Sequence, residues 1–129
     1  MKLVGGCNCG GVRYELDGEP LRVGLCHCET CRKESGSAFA YFGVWPKDKT
    51  VVRGEVRRWA PTGRRFCPQC GSSVFGAKDG SDEIEFKLGT LDRPPTSLRP
   101  IYEVWTIRRE GWLDSVPGND QHDRDAPST

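Results

Sequence analysis

Seven cysteines in 129 residues fall into three tight clusters, and no other feature restricts the fold of this chain as strongly. The clusters are Cys7-Asn8-Cys9, Cys26-His27-Cys28-Glu29-Thr30-Cys31 and Cys67-Pro68-Gln69-Cys70. An odd count and such short gaps suit metal ligation better than disulfides. A two-residue gap lets both sulfurs of a knuckle reach one ion about 2.3 Å away, and two sequence-distant pairs then close a tetrahedral site. Gly10-Gly11 after Cys9 and Gly71 after Cys70 permit the positive φ that a sharp knuckle can require. Seven thiols divide into four and three. Four make a closed structural site, and three leave an open position, the layout of a zinc enzyme. His27 is a candidate fourth ligand of the second site. On an extended backbone, however, Cys26 and Cys28 point one way and His27 the other, which leaves a partly exposed polar side chain beside the cluster.

Metal would also relieve a shortage. Leu, Val, Phe and Ile together supply 26 residues, a thin core for this length. No run of about 18 apolar residues is present, so a membrane-spanning helix is not expected. The start, Met1-Lys2-Leu3-Val4-Gly5-Gly6, lacks the apolar stretch of a secretory signal, and a cytoplasmic location is expected. The net charge of +1 argues against nucleic acid as a general partner. Locally, Arg53, Arg57, Arg58, Arg64 and Arg65 face only Glu55, which makes either a solvated hairpin face or an anion receiver.

Strand signals dominate the rest. Alternation over 12–16 and 21–25, a near-continuous apolar run from Ala38 to Trp45, and short strands at 51–53, 56–59, 64–66, 73–76, 83–87 and 101–105 predict a mainly β domain. The knuckles then sit at strand ends. One short helical turn is expected between Thr30 and Ser37, ended by Gly36. Trp45 and Trp59 are expected in the core. Residues 1–116 read as one domain, and residues 117–129 as a flexible polar tail.

Three ordered motifs carry a resemblance. Gly6-Cys7-Asn8-Cys9-Gly10-Gly11-Val12-Arg13-Tyr14, then Cys26-His27-Cys28-Glu29-Thr30-Cys31-Arg32, then Phe66-Cys67-Pro68-Gln69-Cys70-Gly71-Ser72 are similar to those of the glutathione-dependent formaldehyde-activating family, which includes the centromere protein V domain. The segment Ile101 to Leu113, with Trp105 and Trp112, is similar to the family's closing segment. The resemblance implies an Mss4-like zinc-stabilised β fold. It implies a structural Zn²⁺ on Cys7, Cys9, Cys67 and Cys70, and a second, labile zinc at an active site formed by Cys26, Cys28 and Cys31. It further implies a carbon–sulfur lyase that joins a small-molecule thiol, glutathione, to formaldehyde as S-(hydroxymethyl)glutathione. The chain departs from the family in reading Arg32-Lys33-Glu34-Ser35-Gly36-Ser37 where a histidine is expected after the third cysteine.

Chemistry supports that reading. A thiolate attacks formaldehyde and a thiol does not, and a thiol bound at an open zinc position loses its proton. Arg32, Arg58 and Arg64 are candidate receivers of the substrate carboxylates. Two alternatives belong to other classes. One is a non-catalytic zinc-stabilised binding module of the same family, and the other is a thiol-redox protein using Cys26, Cys28 and Cys31. The redox motif usually accompanies a βαβ pattern, which is absent here.

Overall fold

The computed structural model describes residues 1–59, 62–94 and 96–127. Eleven strands and one short helix follow in chain order: β1 (Lys2–Gly6), β2 (Arg13–Asp17), β3 (Arg22–Cys26), α1 (Glu29–Ser35), β4 (Ala40–Pro46), β5 (Thr50–Arg53), β6 (Arg57–Trp59), β7 (Arg64–Phe66), β8 (Ser73–Gly76), β9 (Glu83–Lys87), β10 (Tyr102–Val104) and β11 (Asp120–Gln121). The chain is mainly β, with its cysteine clusters at strand ends. No described helix is long and apolar enough to cross a membrane.

Two sheets form. The smaller has the order β1-β2-β5, and the larger β11-β10-β3-β4-β9-β8-β7-β6. Pairing is antiparallel except that β10 runs parallel to both β3 and β11. In β2 the buried residues are Tyr14 and Leu16, so the alternation read in the sequence turns one face inward. Those side chains meet Trp45, Phe75 and Phe86 of the larger sheet, with Leu88 just beyond β9, in the main core. Tyr14 and Phe86 approach at 4.7 Å between ring centroids, and Trp45 stands edge-on to Phe86 at 6.1 Å. Trp45 Nε1 donates to the Gly18 carbonyl at 3.1 Å, so its one polar atom is satisfied on burial.

The apolar run of β4 reflects two covered faces. Trp45 packs into the main core, whereas Ala40, Phe42 and Val44 join Cys26, Cys31 and Val104 in a second cluster. α1 covers that second face. The Cys28 sulfur caps the helix by accepting from the Cys31 N–H, and Gly36 ends it in the left-handed conformation at φ 61°.

Two elements differ from expectation. The opening strand β1 is paired along its length with β2, although its glycines weaken the signal in the sequence. The segment from Pro117, expected as a flexible tail, pairs with the larger sheet at Asp120–Gln121 and keeps contact with the rest of the chain as far as Ala126. Asp120–Gln121 adds a strand, the Trp105 N–H donates to the Arg124 carbonyl, and Trp105 Nε1 reaches the Asp125 carboxylate at 2.8 Å. Polar composition concealed this, because the segment is held by hydrogen bonds rather than by apolar burial. Ser128 and Thr129 lie outside the described residues.

Gly54 brings the turn after β5 against the first knuckle. Its φ is 104°, and a Cβ placed there would stand 2.0 Å from the Gly11 carbonyl oxygen. Gly54→Ala therefore combines backbone strain with a clash against a chain that cannot swing away. It should cost at least about 2 kcal/mol, read as a lower urea midpoint with zinc present. An unchanged midpoint would show that this contact is slack.

Candidate metal centres and their cleft

The first knuckle leaves β1 at Cys7 and turns back into β2. The second joins β7 to β8 and carries Cys67 and Cys70. They are built alike. The Gly10 N–H returns to the Cys7 carbonyl and the Gly71 N–H to the Cys67 carbonyl, and both glycines have positive φ, 83° and 80°. The Val12 N–H donates to the Cys7 sulfur at 3.1 Å and the Gln69 N–H to the Cys67 sulfur at 3.4 Å. These donors stabilise negative charge on sulfur.

The four sulfurs lie within 4.8 Å of one another. A tetrahedron with metal–sulfur bonds of about 2.3 Å has edges of about 3.8 Å. Cys7–Cys9 is 3.6 Å and Cys9–Cys67 is 3.7 Å, so the donor set fits such a site. Cys7 and Cys67 are buried in the main core, whereas Cys9 and Cys70 are exposed.

Cys26, Cys28 and Cys31 form a second group, their sulfurs also within 4.8 Å. Cys26 ends β3, Cys28 caps α1 and Cys31 lies on the buried face of that helix. Three donors could hold a metal and leave one position free. Hydrogen bonding from Cys26 draws the Cys31 thiol below the usual thiol range against its burial, and the nearby Lys87 and Arg64 add to this. Cys26 is pushed the opposite way by Cys31 and by burial.

His27 stands outside both groups and is fully buried, not partly exposed. Its Nε2 meets Glu103 Oε1 at 2.9 Å. Glu103, 1% exposed, also accepts from the Val116 N–H at 2.9 Å and from Gln121 at 3.0 Å. Burial raises the Glu103 carboxyl, but the bonds from Gln121, His27 and Val116, with Arg109 close by, outweigh it and hold the group at about 2. One buried carboxylate thus fastens the Cys26–Cys28 knuckle to the C-terminal segment. Nothing in the sequence singles out Glu103 except a lone charge in an apolar strand.

The three arginines proposed as anion receivers do not converge. Arg32 pairs with Glu110 and donates to the Arg108 carbonyl, on one side of α1. Arg58 pairs with Asp79 on the exposed hairpin. Arg64 alone reaches the second cluster. Its Nη2 lies 3.5 Å from the Cys31 sulfur while its Nε donates to Glu34 at 2.9 Å. Glu34 also meets Lys87 at 3.4 Å, accepts from Ser73, and is itself 11% exposed. Lys87, Glu34, Arg64 and Cys31 form a partly buried row of charged and thiol groups. Glu34 sits three residues beyond Cys31, the spacing that aligns side chains on a helix, and that spacing was its signal in the sequence. Arg64 also lines a cleft of about 470 Å³ between α1 and the β6–β7 hairpin, and half-exposed Trp59 stands at its wall rather than in the core.

The family profile described as "Glutathione-dependent formaldehyde-activating enzyme" matches residues 2–108. The chain belongs to that family. Among curated relatives, an uncharacterized lyase of Schizosaccharomyces pombe is 30% identical over 76 residues, which is 57% of this chain and 56% of the relative. The chain thus spans little more than half the length of that protein. A Halomonas elongata protein, provisionally named a glutathione-dependent formaldehyde-activating enzyme, is 27% identical over 120 residues, 80% of this chain and 76% of the relative. A crystal structure of a Rhodobacter sphaeroides protein matches with a TM-score of 0.53 at 23% identity, covering 73% of this chain and 92% of that one, and so shares the fold.

Two outcomes test the centres. Cys67→Ser removes a core-buried donor from the four-sulfur group, and structural zinc sites can supply on the order of 10 kcal/mol. The variant should be insoluble or largely unfolded, and a soluble, cooperatively melting one would remove the structural role. Glu103→Ala leaves His27 and Arg109 facing an empty buried position and should cost about 3–5 kcal/mol by chemical denaturation. A loss under 1 kcal/mol, roughly that of a surface pair, would show that the latch carries little.

Proposed function

We propose that this protein is a zinc-dependent carbon–sulfur lyase of the S-(hydroxymethyl)glutathione synthase type, working in the cytoplasm. The observation that carries the reading is the group of three convergent sulfurs, Cys26, Cys28 and Cys31, set beside a cationic side chain that lines an open cleft. Family membership supplies the reaction class. In the forward direction a carbon–sulfur bond forms between thiol and aldehyde, the carbonyl π bond breaks, and the thiol proton ends on oxygen. The reverse releases both parts, and no redox partner is needed.

Cys7, Cys9, Cys67 and Cys70 would hold a structural zinc, and Cys26, Cys28 and Cys31 a second one. Bound there, a zinc ion supplies a place where a thiol sheds its proton near neutral pH. The chain's own groups do the rest. Three thiolates around a divalent ion sum to −1, which disfavours a further anion. Arg64 offsets that charge at 3.5 Å from Cys31, and Glu34 keeps the guanidinium from turning away. Lys87 adds a second, more deeply buried cation behind it. His27 is committed to Glu103, so it orients the knuckle and does not carry protons to solvent.

Protein purified without chelator should hold two zincs per chain, one of them readily removed. It should consume formaldehyde with excess glutathione above the uncatalysed background. Cys28→Ser should fold, lose about one zinc per chain and fall to background. A Cys28→Ser protein as active as the parent would overturn the proposal. A single chelation-resistant zinc with no consumption would favour the binding-module reading instead.

A further inference from the structure

The three sulfurs of the second group are almost closed off. Cys26 and Cys31 are buried, Cys28 is half-buried, and none of them lines the cleft beside α1. The chain beyond β10 supplies part of the cover. Val104 pairs with Cys26, and its carbonyl accepts from the His27 N–H at 3.1 Å. The next residue, Trp105, packs with Ala126 against the apolar cluster that holds Cys26 and Cys31, as Cys28 does. Trp105 is also the one non-glycine residue with positive φ among the described residues, at φ 59° and ψ 39°. A bulky side chain persists in that left-handed conformation only where its surroundings impose it.

One short segment imposes it. The Trp105 N–H donates to the Arg124 carbonyl at 3.0 Å, the Thr106 N–H to that of His122 at 3.1 Å, and the Ile107 N–H to that of Asp123 at 3.4 Å. The indole Nε1 donates to the Asp125 carboxylate at 2.8 Å, and the Arg124 guanidinium lies 5.8 Å from the indole centroid. Within residues 122–126, only His122 and Ala126 are half-buried, and the rest are exposed. Hydrogen bonds with little apolar burial mark a segment that opens at far less cost than global unfolding. Once they break, nothing keeps Trp105 in its strained form. Segment and indole therefore move together between two arrangements.

Resting on the reading of Cys26, Cys28 and Cys31 as the working group, we infer that residues 122–126 form a strap that holds Trp105 against the cysteine cluster, and that the thiol substrate reaches the sulfurs when the strap lifts. Trp105 is thus a positioning residue. It acts through the cover it gives the cluster, and the strap sets how often that cover is in place. The same motion governs how fast a metal on the three sulfurs exchanges with solvent. The four-sulfur group lies outside its reach.

Hydrogen exchange on the parent protein, loaded with zinc, tests the lifting directly. The amides of Trp105, Thr106 and Ile107 should exchange about a hundredfold faster than those of β4, which has a strand on either side. Iodoacetamide then tests access. After mild chelation of the labile zinc, the tryptic peptide 23–32 carries all three thiols. It should be alkylated about fivefold faster in Asp125→Ala and about tenfold faster in Trp105→Gly. Loss of the labile zinc to a chromogenic chelator should quicken by similar factors, while the other zinc leaves at the parent rate. Thermal melting checks that both variants stay folded. Amides 105–107 exchanging as slowly as those of β4, or parent-like alkylation in both variants, overturns the inference. The two readings fail separately. If both variants uncover the thiols while no thiol promotes formaldehyde loss, the strap stands and the lyase reading falls. If formaldehyde is consumed but neither variant alters alkylation or zinc loss, the lyase reading stands and the strap falls.

Discussion

The junction of four sulfurs is the constraint on which this structure depends. Cys7 and Cys9 belong to the turn of the three-stranded sheet, and Cys67 and Cys70 to a hairpin of the eight-stranded one. A metal held by all four would fasten one sheet to the other across 57 intervening residues between Cys9 and Cys67. Closing so long a loop is entropically costly in the free chain, and the apolar content to offset it is small. Cys7 and Cys67 extend the main core beside Val12 and Val74, so the four-sulfur group and the hydrophobic core are continuous. Gly54, pressed against Gly11, keeps the neighbouring turn close to that junction.

The second cluster is supported in a different way. Its surroundings are ionic, not only apolar. Lys87, Glu34 and Arg64 line one side, and His27 with Glu103 brace the backbone between Cys26 and Cys28. Buried charges of this kind contribute little net stability but fix orientation, because each misplacement leaves a charge unpaired. The four-sulfur group draws on backbone N–H donors at its knuckles, as a permanent site can. The three-sulfur group adds side chains to its backbone donor at Cys28, and one of them, Arg64, opens onto a cleft.

Much of this was legible in the sequence, for identifiable reasons. Strands such as Arg13–Asp17 and Glu83–Lys87 announce themselves because burial on one face imposes a period of two. Both knuckles were readable because spacing and glycine placement are local properties. Long-range matters were not. The burial of His27 depends on Glu103, 76 residues away, and no local pattern encodes that pairing. The arginines at 58 and 64 look equivalent in a basic run, yet β-pairing sends one to Asp79 and the other to Cys31. The strand at Asp120–Gln121 is invisible to hydropathy because its partners are main-chain groups.

The parallel placement of β10 between β3 and β11 has a consequence for how the chain comes off the ribosome. Cys26, Cys28 and Cys31 emerge early, but their bracing strand and the Gln121 contact to Glu103 come from the far end. At typical synthesis rates of about 5–20 residues per second, roughly 5–20 s separate the two. During that interval the three thiols are uncovered, and the neighbouring imidazole has no carboxylate to hold it. The three sulfurs thus pass several seconds without their bracing strand, and this cluster is assembled only after most of the chain has been made.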